Sequence, residues 1–410
     1  MLEGIDKIEW SNLTHAYGAA SDVPNLLRQL ASSSGDDREH AMHELYGNIW
    51  HQGTIYEASV QAVPFLIQLL GSAVVEGKVE IFILLAHLAR GTSYHDVHQH
   101  LAMFKSKAQT PEWQADIQKE LAWVRGVKAA VLAGEDTYLT FLADGEMDLR
   151  DASAYLLASL GRPVPGLAAK VWSRFEQEPK ESVRASLLLA FGNLADSVEK
   201  NINLLAAYLV AERSKSVRLA AAMALVRLAP EQLTREALSV LLEAALSPND
   251  YDALAESVWG RVDDVELMIV SHLACLNANS LTAALEMLEK ILPTCDHQQA
   301  LRIAEVSLNM VFGKTIARGT AFAALNENQQ HVLKVVAQHR NVWIEKIGNA
   351  ETYSVKTSML LRSCGLPDEM AKLISYVANE EHQTPTDPSI SNKPGFVGIV
   401  RKLLKPRSRS

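Results

Sequence analysis

Eight of the chain's thirteen histidines fall in its first hundred positions: His15, His40, His43, His51, His87, His95, His98 and His100. The tightest group, His95-Asp96-Val97-His98-Gln99-His100, holds residue types that ligate transition metals. A metal site needs donors converging on one ion, and no Cys or carboxylate motif stands at ligand spacing beside this run. The run is therefore expected to be a solvated loop, and no metal is expected. His40 and His43 lie one helical turn apart but do not form HExxH. Phosphate loops fail on spacing: Gly71 and Gly77-Lys78 are one residue too far apart and Val79 replaces the Ser/Thr. Gly313-Lys314-Thr315 has Leu308 where the upstream Gly belongs. No GxSxG elbow occurs. The three cysteines, Cys275, Cys295 and Cys364, are odd in number with no CxxC pair, so they read as buried free thiols in a reducing compartment. No catalytic residue and no cofactor is expected.

Two other sets of residues have site-like character. The segment from Tyr46 to Glu57, Tyr-Gly-Asn-Ile-Trp-His-Gln-Gly-Thr-Ile-Tyr-Glu, leaves one helix, crosses a turn at Gly53 and enters the next. Tyr46, Trp50, His51, Tyr56 and Glu57 are its candidate protein-binding residues, because aromatic side chains supply large contact area with a polar handle. The competing role for them is to cap the apolar end of a helical stack. The second set is Arg150, Arg184 and Arg218, spaced 34 residues apart. Regular repetition at a helix start points to repeat stacking through an acid or a helix carbonyl. A basic stripe for phosphates is the other reading, and the acidic body opposes it.

The elements that position these residues follow from the same period. Segments starting at Leu149, Val183 and Val217 align without gaps; Leu157, Phe191 and Leu225 share the spacing, as do Leu160, Leu194 and Leu228. Each has apolar residues at helical spacing with small residues between, and each is followed by a second amphipathic stretch: Pro165–Phe175, Val198–Ala211 and Leu233–Leu246. Breaks fall at Gly161-Arg162-Pro163, Asp196-Ser197 and Ala229-Pro230. A helix pair repeated every 34 residues cannot bury its apolar face alone, so the expected fold is all-α, an α-solenoid superhelix of nine to eleven stacked antiparallel pairs. Further helices are expected over Asp36–Trp50, with a capping box from Asp36 to Glu39, and over Tyr56–Leu70, Lys78–Arg90 and Glu112–Leu132. Others are expected over Asp252–Val258, Val262–Leu276, Leu281–Leu292, Gln298–Phe312, Gln329–Ile347 and Asp368–Ala378. Low Gly and Pro content, 21 and 14 in 410 residues, argues against a sandwich or barrel. The domain reading is one solenoid over 1–380, a Pro-containing linker over 381–395 and a basic amphipathic tail over 396–410.

The aligned Val-Arg-Ala helix starts and the pair architecture resemble HEAT-like repeats, from about Asp36 to Leu246 and onward to Ala378. Ile8-Glu9-Trp10, His15-Ala16-Tyr17-Gly18, Asp22-Val23-Pro24 and the 46–58 segment are similar to a group of largely uncharacterised bacterial HEAT-repeat proteins. The resemblance implies a binding scaffold, and for some acidic bacterial members an immunity protein that holds a toxin inactive. HEAT-like DNA glycosylases suggest the alternative, a DNA-binding or DNA-repair enzyme; an assembly scaffold is a third.

Charge weighs between them. The formal net charge is −9, and the six basic residues from Ser389 to Ser410 contribute with no acid among them, so the rest of the chain carries −15. An acidic body repels nucleic acid and anionic membranes and attracts a basic protein. The expectation is a cytoplasmic, non-enzymatic, protein-binding solenoid whose partner is a basic protein such as a toxin (the chain acting as antitoxin) or a complex subunit. Membrane contact is expected nowhere except through the basic tail. Acidic residues at Glu3, Asp6 and Glu9 do not suit a signal peptide.

Overall fold

The computed structural model describes residues 2–378, apart from 162, 165, 314, 315, 318, 348 and 349. The sequence-defined linker over 381–395 and tail over 396–410 lie outside the described residues. The chain is all-α, with three two-stranded hairpins among the described residues, and it divides into two compact units, Met1–Asp196 and Ser197–Ser410. The division falls at the Asp196-Ser197 break, inside what the sequence reads as one body.

The first unit begins with two 3-10 turns, Ile5–Lys7 and Trp10–Asn12, followed by hairpin β1 (Thr14–His15) and β2 (Gly18–Ala19), then α1 (Val23–Gln29) and α2 (Gly35–Asn48). A second hairpin, β3 (Trp50–His51) and β4 (Thr54–Ile55), leads into α3 (Glu57–Leu70), α4 (Lys78–Arg90) and α5 (Tyr94–His98). Helices α6 (Pro111–Leu132), α7 (Glu135–Phe141), α8 (Met147–Ser159), α9 (Leu167–Gln177) and α10 (Glu181–Leu194) complete it. Helix α8 packs between α4 and α10, and α9 lies against α10. This is the solenoid-like arrangement in which one helix of each pair stacks on its counterpart in the next. Those inner helices are buried almost throughout, from Leu149 to Ser159 in α8. Their small residues, such as Ala152, Ala154, Ala185 and Ala190, are fully buried and admit close helix approach. Pro111 opens α6 at its first turn, where a missing N–H costs nothing, and Thr110 caps it. The cap of α2 is Ser34, which accepts from Asp37 N, rather than the expected Asp36 with Glu39.

The second unit comprises α11 (Glu199–Ala211), α12 (Lys215–Leu228), α13 (Arg235–Leu246), α14 (Asp252–Glu256), α15 (Val258–Asp263), α16 (Val265–Leu273), α17 (Ala278–Ile291), α18 (His297–Val311) and α19 (Glu327–Gln338). Hairpin β5 (Ile344–Ile347) and β6 (Ala350–Tyr353) follows, then α20 (Val355–Ser363) and α21 (Met370–Val377). Helix α12 packs on both α11 and α13. Helices α8, α10 and α12 start at 147, 181 and 215, keeping the 34-residue interval.

Two expectations need correction here. The helix expected over Gln329–Ile347 ends at Gln338, and Ile344–Ile347 is a strand; the apolar residues Val342 and Trp343 are buried by a turn rather than by helical periodicity. The helix expected over Asp252–Val258 is broken at Ser257, which caps α15 by accepting from Gly260 N. Among the described residues no single helix is long and apolar enough to cross a membrane; one bent pair, Val265–Leu273 with Ala278–Thr294, has that composition but turns through 119°.

Candidate functional site

The residues from Tyr46 to Glu57 separate onto two faces. Strands β3 and β4 pair Trp50 with Ile55 and His51 with Thr54. The turn residues Gln52 and Gly53 both have positive φ, 50° and 88°, the mirror-image turn whose twist matches a tight hairpin. Successive strand side chains leave on opposite faces, so Trp50 and His51 diverge.

On one face Trp50 stacks on His87 of α4, ring centroids 4.7 Å apart and 16° from parallel. Tyr46 from α2 meets both edge-on, at 5.8 and 5.7 Å. Burial, with the Glu80 charge, drives the Tyr46 hydroxyl well above its ordinary pKa against the opposing pull of Arg90. Tyr46 and Trp50 therefore pack the hairpin onto the helices.

On the other face His51 Nδ1 lies 3.4 Å from Tyr17 Oη, with the rings edge-on at 5.5 Å. Tyr17 stands in the turn of the β1–β2 hairpin and is 69% exposed. That turn is braced from beneath. His15 Nδ1 accepts from Tyr17 N at 3.0 Å, so Nε2 carries the ring proton and donates to Asp22 Oδ1 at 2.9 Å. Asp22 Oδ2 in turn accepts from Asn48 Nδ2 at 2.6 Å. Both imidazole nitrogens are thus engaged in positioning. Thr14 Oγ1 donates to Glu57 Oε2 at 3.4 Å, tying the first hairpin to the start of α3. Tyr56 precedes α3 and its N–H donates to Ser59 Oγ, whose hydroxyl donates to Ile49 O. Burial raises the Tyr56 hydroxyl pKa and the Glu120 charge adds to it, while a hydrogen bond with the Thr54 side chain opposes.

Thr92 continues the second hairpin. Its N–H donates to Gly53 O at 2.8 Å, and Ile55 N donates to Thr92 O at 3.0 Å. This seats α5 beside the hairpin. The run expected as a solvated loop is that helix, and His95 is anchored in it: Nδ1 lies 2.7 Å from Glu120 Oε1 of α6. Glu120 Oε2 accepts from Ser93 Oγ at 2.7 Å and from His95 N at 3.0 Å. The carboxylate comes from 25 positions downstream, which no local motif reveals. The Ser93 hydroxyl bonds the glutamate and not the imidazole, so these three side chains do not form a nucleophile relay. Tyr94 is 37% exposed and stacks on His98 at 4.2 Å. Among the described residues no group of three or more His, Cys, Asp or Glu is placed to hold a metal ion.

Together β1–β2, β3–β4 and α5 make a ridge on which Tyr17 and Tyr94 are exposed and His51, Tyr56, Glu57 and His98 are half-buried. Sequence reasoning missed Tyr94 and Glu120 as site residues and met Tyr17 only through a family resemblance. A signal was present: positions 8–27, 39–77 and 91–104, which supply the hairpins and α5, contain no Lys or Arg.

The three ladder arginines lie elsewhere and do three different things. Arg150 is buried and grips Glu178 with two bonds, Nε to Oε2 at 2.9 Å and Nη2 to Oε1 at 3.0 Å, while Nη1 donates to the carbonyls of Asp144 and Gly145. Since Glu178 follows α9, this contact ties the start of one pair to the entry of the next. Arg184 lies over the Phe175 ring, 4.9 Å from its centroid. Arg218 Nε donates to Leu209 O at 3.0 Å.

No protein-family model matches the chain, and no curated protein matches it. Among solved structures, one engineered protein is 18% identical with a TM-score of 0.28, over 78% of this chain and 89% of its own. Another engineered protein is 17% identical with a TM-score of 0.28, over 71% of this chain and 96% of its own. Scores of that size carry no argument about fold or function.

Proposed function

We propose that this chain is a non-enzymatic, HEAT-like protein-binding body whose partner is a basic protein, and that it serves as a cytoplasmic immunity protein holding a basic toxin in an inactive complex. The observation that supports this reading is the ridge with its exposed Tyr17 and Tyr94 and half-buried His51, Tyr56 and His98, built from segments without Lys or Arg on a strongly acidic chain. Exposed aromatics braced from below are typical binding anchors, since little side-chain entropy is lost when a partner covers them. The charge steers a basic partner and disfavours an acidic one. The paired Arg150 removes one cation from any phosphate stripe along the ladder.

The test is capture of the full chain from its native host across a salt series. A basic protein retained at moderate salt and encoded beside this chain is the expected result. Loss of every protein partner at moderate salt overturns the reading.

A further inference from the structure

We propose that an apolar face of the second unit, made of Tyr353, Val355, Met359 and Ile374, is the seat of this chain's own tail, bound through the stripe Phe396, Ile399, Val400, Leu403 and Leu404. The inference concerns the second unit alone and does not depend on the partner proposed above.

The face is continuous link by link. Val355 and Met359 lie one turn apart on α20 and are 62% and 63% exposed. The buried side of that helix is Thr357 and Leu361, about 200° around it from Val355 and Met359. Thr357 Oγ1 donates to Val342 O at 2.7 Å, which fixes this rotation. Tyr353 stands two residues before Val355, and its hydroxyl accepts from Met370 N at 2.6 Å, so the ring reaches the first residue of α21. Ile374 follows one turn along α21. Among the described residues of the second unit, these are four of the seven exposed large apolar side chains; the other three, Val198, Val210 and Ile291, stand at α11 and α17, so the concentration is local. Single exposed apolar residues are ordinary, but a continuous patch marks a surface that something covers.

The chain itself supplies the occupant. Helix α21 ends at Val377, within one turn of Ile374. The spacer over 379–395 has a root-mean-square span of about 20–25 Å, enough to return across α20 and α21. It holds the tail at an effective concentration on the order of millimolar. The five apolar tail residues fall at i, i+3, i+4, i+7 and i+8, the stripe of a helix laid on an apolar surface. A run this short gains helical stability from packing rather than from propensity. Arg401, Lys402 and Lys405 fall off the stripe and stay in solvent. At the seat, Asp368 is bonded by Arg362 and Glu369 by Lys372, so the contact is apolar rather than ionic.

Hydrogen–deuterium exchange of the full chain reads both sides of the contact. In wild type, amides over 400–404 should exchange about tenfold or more slower than in free chain, and equally at low and high salt. Leu403→Asp with Leu404→Asp should abolish that protection and speed exchange in α20. Val355→Asp with Met359→Asp, both at exposed positions, should unprotect the tail to the same degree. Unchanged exchange in α12 separates lost docking from lost folding. A tail unprotected in wild type, or protection that survives the Val355 and Met359 pair, overturns the proposal. So does protection that grows with protein concentration, which places the tail on a second copy. Protection that appears only with vesicles of phosphatidylserine and phosphatidylcholine makes the tail a membrane contact and overturns it as well.

Discussion

Replacing Gly91 by alanine tests whether the β3–β4 hairpin is held in place by a backbone-to-side-chain contact. Gly91 caps α4 with φ −60° and ψ 158°, a conformation any residue adopts, so no backbone strain enters. The cost is steric. A Cβ at this position would lie closer than 3.0 Å to both Cδ1 and Cγ1 of Ile55, and 3.2 Å from the Leu88 carbonyl oxygen. Ile55 is fully buried and its N–H is bonded to Thr92 O, so it cannot retreat without moving the hairpin. Overpacking of this kind costs roughly 1–3 kcal/mol. For a unit of this size that is a fall in Tm of about 4–8 °C at the middle of the range. Urea unfolding followed by circular dichroism reads it. The mechanism is checked by a double-mutant cycle: Ile55→Ala removes both clashing atoms, so Gly91→Ala should cost about 1 kcal/mol or more less in the Ile55→Ala background than alone. A shift of the hairpin also displaces His51 from Tyr17, so binding through the ridge should weaken even in molecules that remain folded. An unchanged unfolding midpoint in Gly91→Ala, or strict additivity in the cycle, refutes the reasoning.

Three further outcomes follow from buried groups. Removing the acid in Glu178→Ala strands Arg150 without its partner, and the first unit should lose about 3–5 kcal/mol, read as a lowered urea midpoint. Burial pushes the Glu178 carboxyl up, but the bonds from Arg150, Lys180 N and Arg174 outweigh it and hold the pKa below the ordinary value. Its stabilisation is therefore present above the unfolded carboxylate pKa and lost as pH falls through the folded one; Glu178→Gln should flatten that acid limb. His272 is buried, with Nδ1 donating to Met268 O, and burial lowers its pKa to about 4, the bond to Met268 opposing and Arg227 assisting. The unfolded chain binds the proton first, so the second unit should lose about 3 kcal/mol as pH falls from about 6.5 to 4. A variant His272→Asn should remove that slope, and NMR titration of the ring reads the pKa directly. Gly260→Ala would bring a Cβ closer than 3.0 Å to the backbone of Leu254 and Ala255, which cannot yield as a side chain can. A loss of about 3 kcal/mol in the second unit is expected, by the same urea assay.

The helices were largely legible because their apolar period is local. Lys78–Arg90 is bounded as read, and the start of α12 follows from the arginine spacing. The hairpins were not, since two-residue strands offer no alternation to count. The turn at Gly53 was recognisable, but that Trp50 and His51 leave on opposite faces depends on strand pairing, which sequence spacing did not reveal. Among the candidate residues, this is why Tyr46 and Trp50 part from His51, Tyr56 and Glu57. Likewise the partner of His95 is a carboxylate on another helix, so a rule based on near neighbours assigned the run to solvent.

The two roles weighed for the N-terminal aromatics, capping a stack and recognising a partner, make different demands on the residues concerned. Capping falls to Trp10, which is buried, donates Nε1–H to Ile5 O at 2.9 Å and lies 6.1 Å from Phe65 of α3. Ile5 is buried alongside it. Tyr46 and Trp50 seal the hairpin against α4 through His87. Tyr17 is held chiefly through its backbone N–H, from which His15 Nδ1 accepts, while its exposed ring meets His15 and His51 edge-on. An exposed ring in a tight turn buries little area on folding, so it contributes little to stability. The elaborate bracing of that turn through His15, Asp22 and Asn48 therefore makes physical sense as preorganisation for a contact outside the chain. The distinction is measurable. Tyr17→Ala should leave the urea midpoint of the first unit within about 0.5 kcal/mol of wild type, whereas Trp10→Ala should lower it by about 3–5 kcal/mol. A large stability loss in Tyr17→Ala would return the ridge to a structural role.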